Sequence, residues 1–543
     1  MLPSRRTRLD SPERSERSVV LSRRGVVCSS VPAASVAGCE MLARGGNAID
    51  AAIAAAAVLC VVEPMSTGIG GDAFALFWSA REGRLLGLNG SGRAPAAATL
   101  ETYRERGLER EIPVSGILSA TVPGAVRAWQ DLSDQHGRLP LGDVLAPAIR
   151  AAEEGFAVSE LVAHYWWGLH RMGKFENAAA LRSFAPDGRA PQAGEWWRLP
   201  ELGRSLAEIA ESGADAFYEG RIAAEIVATS DAEHGCFALE DLSEHRSTWV
   251  EPIRTTYRGA EVAELPPNGQ GLAALIALNI LECFEPEPLT SAAEWHHRIE
   301  AVKLAFADRN AYIADPEHAE IPVAELLSKE YARRRAQTIG ERATPRAEPG
   351  LRGDTVYLCT ADEEGNQVSF IQSLFTGFGS GVGCGDTGIV LQSRGAGFRL
   401  DAGHPNALAP RKRPLHTIIP GFLLRDGKPW QAFGLMGGPI QPQSHLNFVA
   451  NVVDHDLNPQ EALDHPRFRF ESGCNVIVEA PEREVDEGGS LGDALAARDH
   501  AVEPMPALAA DLMGGGQAIA RLDNGVWAAG SDRRKDGCAI PQP

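Results

Sequence analysis

Gly353-Asp354-Thr355-Val356-Tyr357-Leu358 lies about two thirds of the way along a 543-residue chain and opens an alternating run, Thr355 to Ala361. Asp362-Glu363-Glu364-Gly365-Asn366 follows as a turn-rich segment, and a second strand-like run, Gln367 to Leu374, returns. Two such runs joined by a short Gly/Asn/Asp segment read as a β-hairpin. With the turn centred near Glu364, Thr355 falls opposite Ser373, and opposed side chains on paired strands lie about 5 Å apart. The pattern sets two hydroxyls side by side at a strand end. Taken locally, it is an ordinary Thr–Ser cross-strand pair.

Composition frames the rest. Hydrophobic residues make up 44% of the chain and charged residues 23%, which is ordinary for a soluble protein with a large core. Length alone points to about three domains, although one large layered unit absorbs the same material. A net charge of −20 argues against nucleic acid and anionic membrane as partners. Residues 1–24 carry several arginines with no apolar stretch after them, so they read as a flexible tail and not a secretory signal. The apolar run Ala51 to Val62 stops at Glu63-Pro64 and is too short to span a membrane. Nine dispersed cysteines without a Cys-x-x-Cys pair fit a reduced, cytoplasmic setting.

Working outward, Gly25 to Ser30 reads as a strand, and Ala33 to Leu42 and Ala48 to Val62 as helices, the second capped by Asn47. A glycine-rich loop, Gly68-Ile69-Gly70-Gly71-Asp72, leads into strands Ala73 to Trp78 and Leu85 to Leu88. Residues 96–250 read as largely helical, with a tryptophan cluster (Trp129, Trp166, Trp167, Trp196, Trp197) expected in the core. Glu251 to Leu265 is strand-like. Leu272 to Phe284, Ala292 to Tyr312 and the charged Val323 to Ile339 are helical, and Thr344 to Leu351 is a loop or linker. Beyond the hairpin, Gly388 to Gln392, Ile418 to Leu424 and Ala432 to Met436 read as strands, the last ending in Gly437-Gly438-Pro439.

Several familiar chemistries fail on context. Gly377 to Gly385 lacks the Gly-Lys-[Ser/Thr] of a phosphate loop. The Gly68 to Ala73 stretch follows a helix and opens a strand, the reverse of a dinucleotide fingerprint. His296-His297 with Glu300 share a helix face without a third convergent ligand, so no metal and no cofactor is expected. Gly488-Gly489-Ser490-Leu491-Gly492 has the form of a nucleophile elbow, but an acidic segment precedes it where a buried strand is needed. Ser490 reads better as the N-cap of a helix from Leu491 to Arg498.

A threonine hydroxyl becomes a useful nucleophile when its own α-amine is free to act as base. Thr355 is internal, so the chain must first break between Asp354 and Thr355. Attack of the Thr355 hydroxyl on the Asp354 carbonyl, then hydrolysis of the ester, achieves that. Acyl transfer also needs an oxyanion hole, and Gly437-Gly438 at a strand end offers two unobstructed amides. Read locally, the same pair is a tight turn before Pro439.

The assembled motifs resemble the gamma-glutamyltransferase family of N-terminal nucleophile hydrolases. They are Arg44-Gly45-Gly46-Asn47-Ala48-Ile49-Asp50-Ala51, Glu63-Pro64 with Gly68-Ile69-Gly70-Gly71, Val122-Pro123-Gly124, Pro147-Ala148-Ile149 with Glu154-Gly155-Phe156, Pro267-Asn268-Gly269-Gln270-Gly271, and Lys412-Arg413-Pro414-Leu415. The resemblance runs from about Gly25 to about Trp527. It implies an α+β fold, a four-layer αββα sandwich, and a precursor cut before Thr355 into segments 25–354 and 355–543 that form one intertwined heterodimer. Higher oligomers are left open.

Carried over by position, the resemblance makes Thr355 the nucleophile, Ser373 the hydroxyl that bonds it, and Gly437 and Gly438 the oxyanion glycines. The substrate positions depart from the family. Its carboxylate-binding arginine falls at Ser91, with Arg93 two residues on. Its asparagine falls at Phe375, its Gln/Asp pair at Arg394 and Gly397, and its two serines at His416 and Thr417. Glycine in place of a carboxylate removes the partner of an α-ammonium, and Arg394 repels such a group while attracting an anion. The expectation is a self-processing threonine amidohydrolase for a small anionic acyl amide. Oxamate amidohydrolase is the similar branch, and cephalosporin-type acylases are a related one. The alternatives are a gamma-glutamyltransferase or glutathione hydrolase proper and, in another class, an uncleaved metabolite-binding protein.

Overall fold

A computed structural model describes residues 17–346, 353–505 and 510–543. Two seven-stranded sheets dominate it. One has the order Cys538–Pro541, Val26–Ser29, Asp354–Ala361, Gln367–Phe375, Asp72–Ser79, Arg84–Gly90 and Thr248–Val250. The other has the order Val20–Ser22, Trp527–Ser531, Gly516–Arg521, Lys428–Leu435, Gly421–Arg425, Ala260–Glu264 and Ile253–Tyr257. Both sheets take strands from before and after Thr355, so a cut there leaves each sheet drawing on both pieces.

Side-chain alternation creates the layers. On the central strands Val356, Leu358, Val368 and Phe370 pack toward a helical layer that includes Ala48–Val62. Their neighbours Tyr357, Cys359 and Ile371 turn the other way, to meet Phe422, Ala432 and Ile519 of the second sheet. The second sheet in turn presents Leu423, Phe433 and Leu435 to the helices Gly271–Leu281, Ala292–Tyr312 and Ile440–Val453. Strands buried on both faces, with helices outside each sheet, make the four-layer αββα sandwich. Ser373 lies two residues beyond Ile371 and therefore faces the space between the sheets.

The helix Ala48–Val62 has the limits read from sequence, and every residue of it is buried. Asn47 accepts from the Ile49 and Asp50 amides while Asp50 reaches back to the Asn47 amide, a capping box that is worth about 1 kcal/mol. Ala292–Tyr312 also has its expected limits. Other expectations shift. Val20–Ser22 is an edge strand paired with Trp527–Ala529, so part of the supposed tail belongs to a sheet; residues 1–16 lie outside the described residues. The helix expected over 323–339 divides into Val323–Leu326 and Lys329–Ala336, because Ser328 caps a new start. The strand expected over 388–392 is only Ile389–Val390. Of the tryptophans, Trp129, Trp166 and Trp197 are buried, while Trp167 and Trp196 are exposed. The linker read over 344–351 falls partly outside the described residues. No helix among the described residues is long and apolar enough to cross a membrane.

Candidate functional site

The hairpin keeps its expected register from Ala361↔Gln367 to Val356↔Gln372, and then slips, so that Asp354 pairs with Phe375. At the irregularity Thr355 alone stands against two residues, Ser373 and Leu374, so the extra residue of this bulge lies on the returning strand. Thr355 is fully buried, and its Oγ1 lies 2.6 Å from the Asp354 carbonyl oxygen and 3.3 Å from Ser373 Oγ. Ser373 Oγ donates to the same carbonyl at 2.7 Å and accepts from the Phe375 amide at 2.8 Å. Two hydroxyls thus converge on the carbonyl of the bond that precedes Thr355. Phe375 adopts a left-handed φ of 82°, a strained conformation for a bulky residue and one that collects at functional sites.

Arg394 completes the cluster. It sits in the 3₁₀ turn Arg394–Gly397 and is fully buried. Its Nη2 donates to Ser373 Oγ at 3.0 Å, its Nη1 to Thr417 Oγ1 at 2.6 Å, and its guanidinium lies 4.4 Å from the centre of the Phe375 ring. Its Nε has no hydrogen-bond partner, and among the described residues no carboxylate pairs with it. Burial lowers its pKa to about 9, opposed by the field of Asp72. A desolvated guanidinium with an open donor, one hydroxyl away from Thr355, has the chemistry to pair with an anion.

Asp72 lies beside Ser373 on the neighbouring strand. Its Oδ1 accepts from the Gly92 amide (3.0 Å), the Gly124 amide (3.1 Å) and Gln392 Nε2 (2.9 Å). Its Oδ2 lies 2.9 Å from His416 Nε2. Burial pushes Asp72 up to about 7, against the pull of Arg394 and these donors. Burial and Arg394 push His416 well below the usual histidine range, so the imidazole is neutral and donates to Asp72. His416 therefore reaches the cluster through Asp72 and not by contact with Thr355. Neither Asp72 nor Gln392 was singled out by sequence; the signal for Asp72 was a carboxylate closing a glycine-rich loop where a strand begins.

Gly437 and Gly438 follow the Lys428–Leu435 strand with φ of 116° and 69°, a conformation that favours glycine. A Cβ on Gly438 would come within 2.6 Å of the Gly353 amide nitrogen, so the segment before Thr355 runs directly over this glycine. Gln270 fixes the loop from behind. Its Nε2 donates to the Gly438 and Thr417 carbonyls at 3.0 and 2.6 Å, and its Oε1 accepts from the buried Arg309 at 2.9 Å.

Arg93 is elsewhere. It pairs with Asp315 at 3.4 Å and with Glu317 at 2.7 Å and donates to the Arg411 carbonyl, on the wall of a cavity of about 410 Å³ that Arg246, Arg411 and Arg413 also line. Arg93, expected among the substrate-binding residues, thus has its guanidinium engaged by two carboxylates and a backbone carbonyl. Ser91, where the family's arginine falls, is fully buried and bonded to Asn89 and Asn268.

The remaining sequence candidates resolve simply. Ser490 caps the helix Leu491–Ala496, accepting from the Asp493 amide. A third ligand-type side chain, His500, does converge on His296 and Glu300, which sequence reading missed. Its Nε2 lies 2.9 Å from His296 Nδ1, and the Lys303 ammonium lies 2.7 Å from Glu300, so hydrogen bonds and a lysine already satisfy that carboxylate and imidazole.

The comparisons with known proteins give the family and agree with the fold. A family model, Gamma-glutamyltranspeptidase, matches residues 34–542. The chain is 38% identical over 525 residues to a glutathione hydrolase-like YwrD proenzyme of Bacillus subtilis, covering 96% of this chain and 99% of the relative. It is 35% identical over 535 residues to an oxamate amidohydrolase proenzyme of Klebsiella pneumoniae, covering 96% and 98%. The crystal structure of a cephalosporin acylase from Bacillus halodurans superposes with a TM-score of 0.92 at 46% identity, covering 98% of each chain. Like the proenzymes it resembles, the chain is a precursor that cleaves into two subunits, and the product is an amidohydrolase or acyltransferase with an N-terminal nucleophile. The chain belongs to the gamma-glutamyltranspeptidase family.

Proposed function

We propose that the chain cuts itself between Asp354 and Thr355, and that the freed Thr355 is the nucleophile of an amidohydrolase for small anionic acyl amides of the oxamate type. The observation that carries this reading is Arg394. It is buried, has an unpartnered Nε, and is bonded to the Ser373 hydroxyl that meets Thr355. An acyl group bearing a carboxylate supplies the missing countercharge. A γ-glutamyl group also bears an α-ammonium, which needs a carboxylate of its own. Gly397 offers none, and the Asp72 carboxylate is engaged by Gly92, Gly124, Gln392 and His416.

The steps follow from the groups in place. In the precursor, Thr355 Oγ bonds to the Asp354 carbonyl carbon while its proton passes through Ser373 Oγ to the carbonyl oxygen. As the C–N bond breaks, the adduct's hydroxyl proton ends on the nitrogen, which becomes the free Thr355 amine, and an ester on Thr355 Oγ remains; water hydrolyses that ester, freeing the Thr355 hydroxyl and the Asp354 carboxylate. Departure of the segment from over Gly438 exposes that glycine to the next acyl group. The amine then serves as base for the Thr355 hydroxyl, and the Gly437 and Gly438 amides receive the developing oxyanion. Water resolves the acyl-enzyme.

The test compares substrates on the cleaved enzyme. Oxamate hydrolysis is expected to exceed γ-glutamyl anilide hydrolysis by about 10²-fold in kcat/KM, because an unmatched ammonium beside a guanidinium costs several kcal/mol. Equal rates would refute the anionic-acyl reading and leave γ-glutamyl transfer as the function.

A further inference from the structure

Two parts of the site answer to one side chain that the scheme above leaves out, Gln270. It ends a short segment laced along His416 and Thr417. The His416 amide donates to the Asn268 carbonyl at 2.9 Å, Gly269 pairs with His416 in parallel, and the Gln270 amide donates to the His416 carbonyl at 2.9 Å. The next residue opens the helix Gly271–Leu281, every residue of which is buried. Gln270 is itself fully buried, so its side chain is mounted on a rigid base in a packed interior.

Donor counting fixes which way its amide points. A guanidinium only donates and a backbone carbonyl only accepts. Arg309, on the helix Ala292–Tyr312, donates from Nη1 to one end of the Gln270 amide at 2.9 Å, so that end is Oε1. The other end is then Nε2, and it faces two carbonyls, that of Thr417 at 2.6 Å and that of Gly438 at 3.0 Å. Nε2 has two hydrogens, one for each carbonyl. Thr417 carries the hydroxyl that accepts from Arg394, the cation that meets the substrate's carboxylate in the proposed function. Gly438 is one of the two glycines whose amides receive the oxyanion there. Gln270 therefore ties the anion-binding half of the site to the oxyanion half, and Arg309 locks the tie.

The spacing of those halves matters most for a short acyl group. In oxamate the carboxylate carbon is bonded directly to the amide carbon, so no methylene torsion takes up an error in the spacing. Each methylene inserted between the two carbons adds a torsion and lets the substrate adapt. We propose that Gln270, locked by Arg309, is a positioning residue that sets the distance from the Arg394 guanidinium to the Gly437 and Gly438 amides, and so selects acyl groups whose carboxylate is attached directly to the reacting carbonyl. This rests on the anionic-acyl reading above and adds a length to it, since the buried cation accounts for the charge of the substrate and not for its reach.

The experiment measures kcat and KM of the cleaved enzyme on oxamate, malonamate and succinamate, which place no, one and two methylenes between carboxylate and amide. Wild type is expected to prefer them in that order. Gln270→Met keeps the length of the side chain and loses its three hydrogen bonds. It is expected to lower kcat/KM for oxamate by about 10²-fold, mostly through kcat, the usual cost of a misplacement of about 1 Å. For succinamate the loss is expected to stay under about tenfold, so the preference narrows by about tenfold or more. A residue that only supports the fold lowers all three rates alike. Arg309→Lys, which keeps the cation and loses the planar fork, is expected to move the same ratio in the same direction by a smaller factor. It is read in place of Gln270→Met if that variant stays uncut on a denaturing gel. Equal losses on the three probes, or a wild type that prefers succinamate to oxamate, overturn the inference and leave the anionic-acyl reading standing. A wild type that hydrolyses none of the three and acts on γ-glutamyl anilide refutes that reading, and the inference falls with it.

Discussion

Arg394 and Arg93 stand in the two regions that look ready for an anion, and they are bonded in opposite ways. Arg93 is partly exposed on a cavity wall crowded with guanidinium groups, but Asp315 and Glu317 hold it on one side and the Arg411 carbonyl on another. Arg394 has no solvent contact and no paired carboxylate among the described residues; two hydroxyls and an aromatic ring are its partners. The cavity has more positive residues, yet Arg93, Arg411 and Arg413 each face a carboxylate there. The buried site has one cation whose charge is left over. What attracts a ligand anion is uncompensated charge in a dry place, and the count of arginines does not measure it.

The comparison can be broken most severely at Arg394 itself. Arg394→Ala on the cleaved enzyme removes the cation and the Ser373 donor together, and a loss of about 10²–10³-fold in kcat/KM for the anionic amide is expected. Next comes a change that makes Arg394 resemble Arg93. Gly397 ends the same 3₁₀ turn, and a Cβ there meets nothing closer than the Leu415 carbonyl at 3.2 Å. Gly397→Asp supplies a counterion and should lower kcat/KM for the anionic substrate about fivefold, the worth of a partly exposed ion pair. It should also improve the relative rate on γ-glutamyl anilide. Arg93→Ala should change kcat/KM by less than about threefold, since it breaks ion pairs that do not touch the site. If Arg93→Ala is instead as damaging as Arg394→Ala, the distinction between the two regions is wrong.

What was legible in the sequence follows the same division between local and distant structure. The hairpin register, the Asn47 cap and the limits of Ala48–Val62 and Ala292–Tyr312 all depend on residues close together in the chain, and the pattern of turns and apolar positions carries them. The layer order came from the ordered motifs and matches the alternation of residues such as Leu358 and Cys359. The partners of the site did not show. Asp72 and His416 are 344 positions apart, and Ser66 and Asp354 are 288 apart. Nothing in local pattern links such pairs, because the fold alone brings them together. For Arg93, its place two residues from the expected position was visible, while the carboxylates at 315 and 317 that hold it were not. The break at Ser328 was a cap hidden inside a charged, helix-like run.

A quieter test concerns Asp72, the carboxylate whose field reaches Arg394 without touching it. Its pKa is raised by burial to about 7. In the unfolded chain it is ionised above about 4, so between these values the folded protein holds the extra proton. The sign is then fixed: Asp72 favours the folded state at low pH, and that contribution is lost as pH rises through about 7. The midpoint of denaturant unfolding, compared between wild type and Asp72→Asn, should show an advantage to wild type that shrinks from pH 5 to pH 8. The same proton acts on the site. Below pH 7 Asp72 is neutral, Arg394 loses its nearest opposing field, and a carboxylate substrate that stays ionised should bind more tightly. KM for the anionic amide is expected to fall by about threefold from pH 8 to pH 6, a modest effect because Asp72 and Arg394 make no direct contact. In Asp72→Asn the KM should be flat across that range. A wild-type KM that rises as pH falls would mean that Arg394 is not what the anion meets.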